Sequence, residues 1–407
     1  MSRSALEKVG KKFRQQGISK RVQNIVTSPI KEMMILASKY DNVISLGQGV
    51  PSYDTPEHIK KAAIEAIQGK EAAKYSLLPG RIPLRKAIAE NLYKKYNVNY
   101  DPIEEIMVSV GGMEAIACAI MTVVEQNDEV IVFEPTFASH IEQILLAGGK
   151  IKSLKLYEED GWQPRIEDLK KLITKKTKMI LVCNPVNPTG TVFKKEILDE
   201  IAKSALENNL FILTDETYDF LVYDKKSFES FIKYSEKLPE LRKNLICTYS
   251  FSKNYAMTGY RVGYVCAEAD VINHLSKVHD AFTICAPVVS QIAAETALKG
   301  PQGFVNDLIG NLENKRNLVC KRLDKLNKYF SYVKPEGAYY VFPKILKKGV
   351  DSFEFALKLL DLTQVVVVPG RAFGEIGEGH IRMAFGAEES KLNEAFDRIE
   401  KKIDTIF

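Results

Sequence analysis

The 407-residue chain lacks a long uninterrupted run of apolar residues. Its longest such run, residues 115–124, has ten residues and lies between Glu114 and Glu125. A membrane-spanning helix needs about 20 apolar residues. The sequence therefore predicts no membrane-spanning segment and no membrane partner.

Closely spaced cysteines and an excess of one charge are also missing. The six cysteines, at 118, 183, 247, 266, 285 and 320, show no C-x-x-C spacing. Most lie in apolar runs, which is typical of free thiols in a reducing compartment and favours a cytoplasmic protein. The net charge is only +5, and Lys is interleaved with acidic residues. A nucleic-acid-binding protein would show a clustered basic face, so we expect no nucleic-acid partner.

The N-terminus is locally basic, with seven Lys/Arg and one acidic residue among the first 21 residues. Such a start is found in targeting segments and in membrane-surface helices. Here no apolar segment follows it, and Gly10 and Gly17 interrupt any long amphipathic face. We favour a basic arm that lies on the domain or on a partner subunit.

Several catalytic motifs are absent. The chain has no G-x-x-x-x-G-K-[ST], G-x-G-x-x-G, G-x-S-x-G or H-E-x-x-H. These absences argue against kinases, dinucleotide-dependent dehydrogenases, α/β-hydrolases and zinc proteases of those classes. Of only five histidines, His274 and His279 are near each other, but their spacing does not place both on one helix face. We expect no metal site.

From residue 55 onward, helical and strand-like patterns alternate. Residues 56–68 show the helical pattern, with Thr55 as the candidate N-cap and Pro56 in the first turn. Short apolar runs predict buried strands at 106–110, 130–133, 179–183, 211–214, 246–249 and 262–266. Strands connected by helices form largely parallel sheets covered on both faces. We predict an α/β fold: a three-layer α/β/α large domain with a mostly parallel sheet, plus a smaller α+β domain.

The domain boundaries are predicted from a Gly300-Pro301 break and the pattern after it. A Lys-rich helical stretch follows the break, and then strand-like runs at 339–342, 365–368 and 380–385 and a closing amphipathic helix. We expect residues 1–50 to form an N-terminal arm and part of the small domain. Residues 51–300 would form the large domain, and 301–407 the small C-terminal domain, with 301–328 as the linking helix.

Four polar motifs follow predicted strands, where open α/β sheets bind ligands. They are GGM (111–113), NPVNPTG (184–190), DETY (215–218) and SFSKNYAMTGYRVGY (250–264). Taken singly, the first three are also explained as a tight turn, a proline-rich turn and a helix N-cap. The fourth combines Ser250, Lys253 and Arg261 with two glycines, a combination that a chance loop would seldom contain.

Taken together, the four motifs match the needs of one cofactor, pyridoxal 5′-phosphate. It requires a lysine that forms an imine, a carboxylate beside its ring nitrogen, hydrogen bonds to its phenolic oxygen and an anion cradle for its phosphate. Helix N-termini with glycines provide such cradles. We therefore predict a cofactor-dependent enzyme.

The sequence resembles class I aminotransferases of the aspartate aminotransferase family, fold type I, over essentially its whole length. The motifs that carry the resemblance are NPVNPTG, DETY, SFSK followed by Arg261, and the C-terminal GHIRMAF. The resemblance implies that Lys253 is the catalytic lysine and that Asp215 pairs with the ring nitrogen. The other cofactor contacts that it implies are Asn187 and Tyr218 at the phenolic oxygen, Phe137 stacked on the ring, and Ser250, Arg261 and the amides of Gly112 and Met113 at the phosphate.

The resemblance also implies the substrate contacts and the assembly. Arg382, with Gly49 and Asn187, would bind the substrate α-carboxylate, for which a two-donor guanidinium is well suited. Tyr75 would reach the phosphate in a neighbouring subunit, so a homodimer with shared active sites is implied. The substrates would be an amino acid and a 2-oxo acid.

One position departs from the dicarboxylate-preferring relatives: Met113 stands where several of them have a lysine. Methionine offers flexible apolar surface instead of charge, so we expect a neutral, aromatic or broad amino donor, with glutamate and 2-oxoglutarate as the second pair. The alternative on the same fold is a pyridoxal-phosphate-dependent β-lyase. A cofactor-sensing domain of a transcription regulator is disfavoured, since no helix-turn-helix pattern precedes residue 51.

Overall fold

A computed structural model describes residues 17–23, 25, 29–50 and 52–407 of the chain. Most of the basic N-terminal arm expected from the sequence lies outside the described residues, as does Pro51, where the large domain was expected to begin. Within the described part, no helix combines the length and the apolar character needed to cross a membrane.

Helices and strands alternate along much of the described chain, but Ala269–Thr283, Val288–Lys299 and Gly303–Lys325 are three consecutive helices. The α-helices are Lys20–Gln23, Pro29–Ala37, Glu57–Gln68, Ile82–Tyr96, Gly112–Val123, Ala138–Leu146, Ile166–Leu172, Lys195–Glu207, Tyr234–Lys237, Pro239–Arg242, Ala269–Thr283, Val288–Lys299, Gly303–Lys325, Ser352–Thr363 and Glu389–Ile406. The strands are β1 (Ile44–Ser45), β2 (Ile106–Ser109), β3 (Glu129–Glu134), β4 (Lys150–Lys155), β5 (Thr177–Cys183), β6 (Phe211–Asp215), β7 (Leu245–Ser250), β8 (Gly263–Cys266), β9 (Phe330–Ser331), β10 (Tyr340–Val341), β11 (Lys344–Ile345), β12 (Val365–Val366), β13 (Val368–Pro369) and β14 (Ile381–Ala384).

Seven strands form the central sheet, in the order β2-β8-β7-β6-β5-β3-β4. The pairs β4·β3, β3·β5, β5·β6 and β6·β7 are parallel, and β8 runs antiparallel to both of its neighbours, β2 and β7. The prediction of a mostly parallel sheet is therefore confirmed. Strand β4 was not predicted, because its sequence KIKSLK is not an apolar run. It lies at the edge of the sheet, where lysines are common.

Apolar side chains pack on both faces of this sheet. Along β5, Ile180 and Val182 belong to one core cluster, while Met179 and Leu181 belong to another. Successive strand residues point to opposite faces, so a strand buried on both sides needs apolar residues throughout. Helices cover each face, and the predicted three-layer α/β/α arrangement is confirmed.

A third core cluster joins the start of the described chain to its C-terminal part. It contains Met33 and Leu46 together with residues between 308 and 406, and Tyr218, Leu221 and Tyr223 also belong to it. Its short strands form the sheets β1-β12, β10-β14-β13 and β9-β11. The predicted strand at 365–368 is split, because β12 pairs with β1 and β13 pairs with β14.

One helix start differs from the expectation. The first helix of the large sheet region begins at Glu57, preceded by Pro56 and without a side-chain cap. Thr55 does not cap it, because its hydroxyl donates to the carbonyl of Ala256, 2.7 Å away. This side chain ties the helix start to the loop after Lys253 instead.

Candidate active site

The carboxyl ends of four central strands meet around one cavity. The turn after β2 contributes Gly112, the loop after β5 Asn187, the end of β6 Asp215, and the end of β7 Ser250. Parallel strands end at the same edge of a sheet, which is why motifs more than 100 residues apart come together. The cavity has a volume of about 390 Å³.

Eleven of the twelve site residues predicted from the sequence line this cavity. They are Gly49, Gly112, Met113, Phe137, Asn187, Asp215, Tyr218, Ser250, Lys253, Arg261 and Arg382. Tyr75 does not line it and is 76% exposed on the surface. The structure of a single chain therefore leaves Tyr75 apart from the other predicted residues.

Lys253 lies at the floor of the cavity. Its ammonium donates to the carbonyl of Gly49 at 2.5 Å, and the hydroxyl of Tyr339 donates to the same oxygen at 2.7 Å. Burial, followed by the charges of Arg382 and Arg261, lowers the pKa of Lys253 to about 8. Desolvation and neighbouring cations both disfavour a charged amine, so a large share of Lys253 is a neutral nucleophile and base near pH 8.

Asp215 ends β6 as a buried carboxylate. One of its oxygens is 3.0 Å from Nε2 of His140, and the other accepts from the hydroxyl and the amide of Thr217, at 2.7 and 3.2 Å. Burial alone would raise the pKa of Asp215, but the bonds with His140 and Thr217 hold it below its ordinary value. The carboxylate therefore stays ionised inside the protein.

His140 was not among the residues predicted from the sequence. It is completely buried and lies one helical turn after Phe137, whose ring meets the imidazole edge-on with centroids 5.5 Å apart. Its Nδ1 is 3.3 Å from the hydroxyl of Thr136. The only sequence signal was its place in the segment PTFASH, three residues after an aromatic that was itself predicted.

The start of the helix Gly112–Val123 forms a cradle for an anion. Gly111 has a φ of 78°, a conformation that favours glycine, and a Cβ there would lie 2.5 Å from Nη2 of Arg261. The guanidinium of Arg261 bonds to the carbonyls of Thr258 and Val110, at 3.1 and 3.4 Å. Backbone N–H groups at a helix start and a guanidinium held beside them suit a phosphate.

Serine hydroxyls complete this cradle. The hydroxyl of Ser250 donates to that of Ser252 at 2.9 Å and accepts from the Ser252 amide at 3.2 Å. Ser252 and Thr258 also line the cavity, although neither was predicted from the sequence. Both stand inside the motif that had been recognised, so their spacing to Lys253 was the available signal.

Arg382 is a buried cation on β14. Its Nη1 donates to Asn187 at 3.0 Å, and its Nη2 donates to the carbonyl of Gly47 at 2.6 Å. Among the described residues nothing bonds to its buried Nε. Burial lowers the pKa of Arg382, against smaller opposing effects of three nearby tyrosines. A buried guanidinium without an acidic partner suits a carboxylate ligand, because a buried charge is costly unless paired.

The outer wall of the cavity is apolar. Ile30, Val50 and Met113 line it, and the side chain of Met113 stands where the helix Gly112–Val123 begins. The backbone carbonyl of Met113 accepts from Gln143 at 2.9 Å, which holds this turn against the next helix. The cationic side chains that line the cavity are Lys253, Arg261 and Arg382.

Comparison with known proteins identifies the family. The model of the family "Aminotransferase class I and II" matches residues 41–399. The chain belongs to this family. As an aminotransferase, it moves an amino group between an amino acid and a 2-oxo acid, and the β-lyase alternative is not favoured.

Named relatives of this aminotransferase align over nearly its full length. It is 37% identical to "Aromatic-amino-acid aminotransferase 2" of Thermococcus litoralis over 386 residues, which cover 94% of this chain and 97% of that protein. It is equally identical, with the same coverage, to an aspartate aminotransferase of Pyrococcus abyssi.

Solved structures of relatives share the whole fold of the aminotransferase. The crystal structure of the aspartate aminotransferase of Thermotoga maritima has a TM-score of 0.88 at 34% identity and covers 95% of this chain and 100% of that one. An aromatic aminotransferase of Pyrococcus horikoshii has a TM-score of 0.85 at 36% identity, covering 93% and 100%. The fold type I architecture is therefore confirmed.

Proposed function

We propose that this aminotransferase uses pyridoxal 5′-phosphate, bound in the cavity at the strand ends. The observation that carries the proposal is the combination of a neutralisable lysine, an ionised buried carboxylate and an anion cradle in one cavity of about 390 Å³. The orphaned Nε of Arg382 adds a site for the substrate carboxylate. These residue types fit the cofactor's amine, ring-nitrogen and phosphate requirements.

Four groups of residues would hold the cofactor. The amides of Gly112 and Met113, with Ser250 and Arg261, would bind its phosphate. Asp215 would pair with its ring nitrogen, supported by His140. Asn187 and Tyr218 would bond to its phenolic oxygen, and Phe137 would stack on its ring.

Pyridoxal 5′-phosphate, when bound, supplies an aldehyde carbon for the amine and a ring that takes up the electron pair of the substrate Cα. Arg382 and the backbone at Gly49 orient the substrate by its carboxylate, while Asn187 supports the guanidinium. Neutral Lys253 would take the proton from the substrate Cα through Nζ and would give that proton up again as a general acid. Asp215, held ionised by His140 and Thr217, would keep the ring nitrogen of the cofactor protonated and electron-withdrawing.

For the amino donor, we propose neutral, aromatic or broad specificity, with glutamate and 2-oxoglutarate as the second pair. The apolar wall of Ile30, Val50 and Met113 supports this. Lys253, Arg261 and Arg382 are already assigned to catalysis, phosphate and the α-carboxylate, so the described residues that line the cavity include no further cation for a side-chain carboxylate. The Thermococcus relative is named for aromatic amino acids.

We also propose a homodimer with shared active sites, in the cytoplasm. Tyr75 is exposed and available to reach the phosphate in a partner's cavity, and all six cysteines are free thiols. We propose residues 51–300 as the large cofactor-binding domain and 301–407, with part of 1–50, as the small domain. The third apolar cluster supports the joining of residues 33–46 to 308–406, and it also includes Tyr218, Leu221 and Tyr223 from the large domain.

The cofactor and donor proposals are tested by the absorbance spectrum of the purified protein, recorded while a panel of L-amino acids is added. We expect the lysine-bound cofactor to give a yellow absorbance band, which effective donors bleach and 2-oxoglutarate restores. We also expect phenylalanine, alanine or methionine to match or exceed aspartate as donors by kcat/KM. A large preference for aspartate would contradict the donor proposal. Pyruvate and ammonia released from a β-substituted donor, with the yellow band retained, would establish a lyase.

A further inference from the structure

Tyr340 lies between residues that the proposed function assigns to the cofactor and to the substrate. Its phenol oxygen is 2.7 Å from that of Tyr218, and the Arg382 Cζ lies 4.5 Å from the centroid of its ring. Tyr340 is 2% exposed and Tyr218 is 5% exposed. Bulk water therefore does not compete for the contact between the two hydroxyls.

The position of the Tyr340 hydroxyl is fixed from several sides. Strand pairing places Tyr340 opposite Ala384 on the strand that carries Arg382. The Tyr340 ring also packs edge-on against the ring of Tyr218, with centroids 5.8 Å apart. A Cβ built on Gly49 would overlap the Tyr340 hydroxyl. The glycine at position 49 thus leaves room for the Tyr340 phenol.

We propose that Tyr340 is a positioning residue, whose hydroxyl donates to Tyr218 and thereby directs the Tyr218 hydroxyl at the phenolic oxygen of the cofactor. The inference rests on the proposed function. A phenol both donates and accepts, so Tyr218 can accept from Tyr340 while donating its own proton onward. Burial raises the pKa of Tyr218 well above its ordinary value, so that proton is retained.

Tyr340→Phe tests the proposal, because it removes the hydroxyl and keeps the ring against Arg382. A hydrogen bond donated to the phenolic oxygen favours its anionic form. We therefore expect the pH midpoint of the yellow absorbance band to rise by about 0.5 unit, on the scale of one weakened hydrogen bond. We expect kcat to fall by about 3- to 10-fold and KM for the amino donor to stay within about 2-fold.

A double-mutant cycle with Tyr218→Phe separates positioning from independent roles. If Tyr340 acts through Tyr218, the double variant will have the midpoint and kcat of Tyr218→Phe alone. Tyr332→Phe is the matched control, because its hydroxyl bonds to Asp324 at 2.8 Å outside the cavity. We expect that control to match the unsubstituted enzyme.

Three results would overturn the inference: an unchanged midpoint in Tyr340→Phe, shifts that add in the double variant, or a raised KM with unchanged kcat. Failure of the proposed function itself is distinguishable. In that case the unsubstituted protein would bind no pyridoxal phosphate and show no yellow band, before any variant is compared.

Discussion

At the scale of single residues, the site depends on how burial changes the pKa values of Lys253 and Asp215. Lys253 is largely removed from water and lies near two guanidinium groups, which lowers its pKa to about 8. Asp215 is buried but keeps its charge through bonds with His140 and Thr217. A cavity that favours the neutral form of an amine and the ionised form of a carboxylate is typical of catalytic sites.

Lys253→Ala should abolish turnover, because no other amine lines the cavity in the part of the chain that the structure describes. The protein should still fold and bind pyridoxal phosphate without a covalent bond, since the phosphate cradle and Asp215 remain. Steady-state transamination with a coupled assay, and cofactor release on denaturation, check this. Lys171→Ala, on an exposed helix end, is the control; steady-state transamination retained by Lys253→Ala would refute the assignment.

Asp215→Ala should leave the fold intact and reduce kcat at least about 100-fold, because the ring nitrogen loses the anion that keeps it protonated. Circular dichroism and kcat measured side by side check this prediction. Asp361→Asn, an exposed carboxylate bonded to Tyr40, serves as the control. A near-normal rate would mean that another carboxylate pairs with the ring.

At the scale of elements, the turn between β2 and the helix Gly112–Val123 decides whether a phosphate can bind. Gly111 adopts a positive φ and lies against Arg261, so the turn and the guanidinium fit together only without a side chain at 111. Glu114 supports the turn from inside the helix, because it accepts from the amide of Val110 at 3.0 Å and is 2.8 Å from His279.

Gly111→Ala should displace Arg261 and weaken pyridoxal phosphate binding by about 10-fold or more. It should also destabilise the fold by about 1 kcal/mol or more, since alanine is strained at positive φ. Gly310→Ala is the matched control: it lies within a helix with nothing near its Cβ, and should stabilise by up to about 1 kcal/mol. Equilibrium dialysis measures cofactor binding and thermal unfolding measures stability for both variants. Equal effects of Gly111→Ala and Gly310→Ala would contradict this prediction.

At the scale of the whole molecule, the position of Tyr75 bears on the proposed dimer. Every other predicted site residue lines the cavity, whereas Tyr75 is exposed on the surface. Leu77, Phe282 and Ile284 are also exposed apolar side chains. A second copy of the chain would bring a Tyr75 to each cavity, which is the assembly proposed above.

We therefore expect sedimentation velocity to give twice the mass of one chain. Tyr75→Phe should remain a dimer but bind pyridoxal phosphate about 10-fold more weakly, because it loses a hydrogen bond to a charged group. Tyr93→Phe, exposed on the helix Ile82–Tyr96, should bind the cofactor normally. A fully active monomer would contradict the shared-site proposal.

The class of the sheet and most residues of the candidate site could be predicted from the sequence. Motifs at strand ends identified Lys253, Asp215 and Arg261, since the chemistry is carried by residues whose local spacing is characteristic. The edge strand β4 was not predicted, because its three lysines make it resemble a surface segment. The domain boundaries and the residue roles remain predictions.

The side chains that support the predicted ones became visible from the three-dimensional packing. His140 reaches Asp215 across 75 residues of chain, and Tyr340 reaches Tyr218 across 122. Neither contact leaves a local pattern, because it depends on how separate elements pack and not on the spacing within one. The same packing changes the ionisation of the site, since burial is the main cause that lowers the pKa values of Lys253 and Arg382.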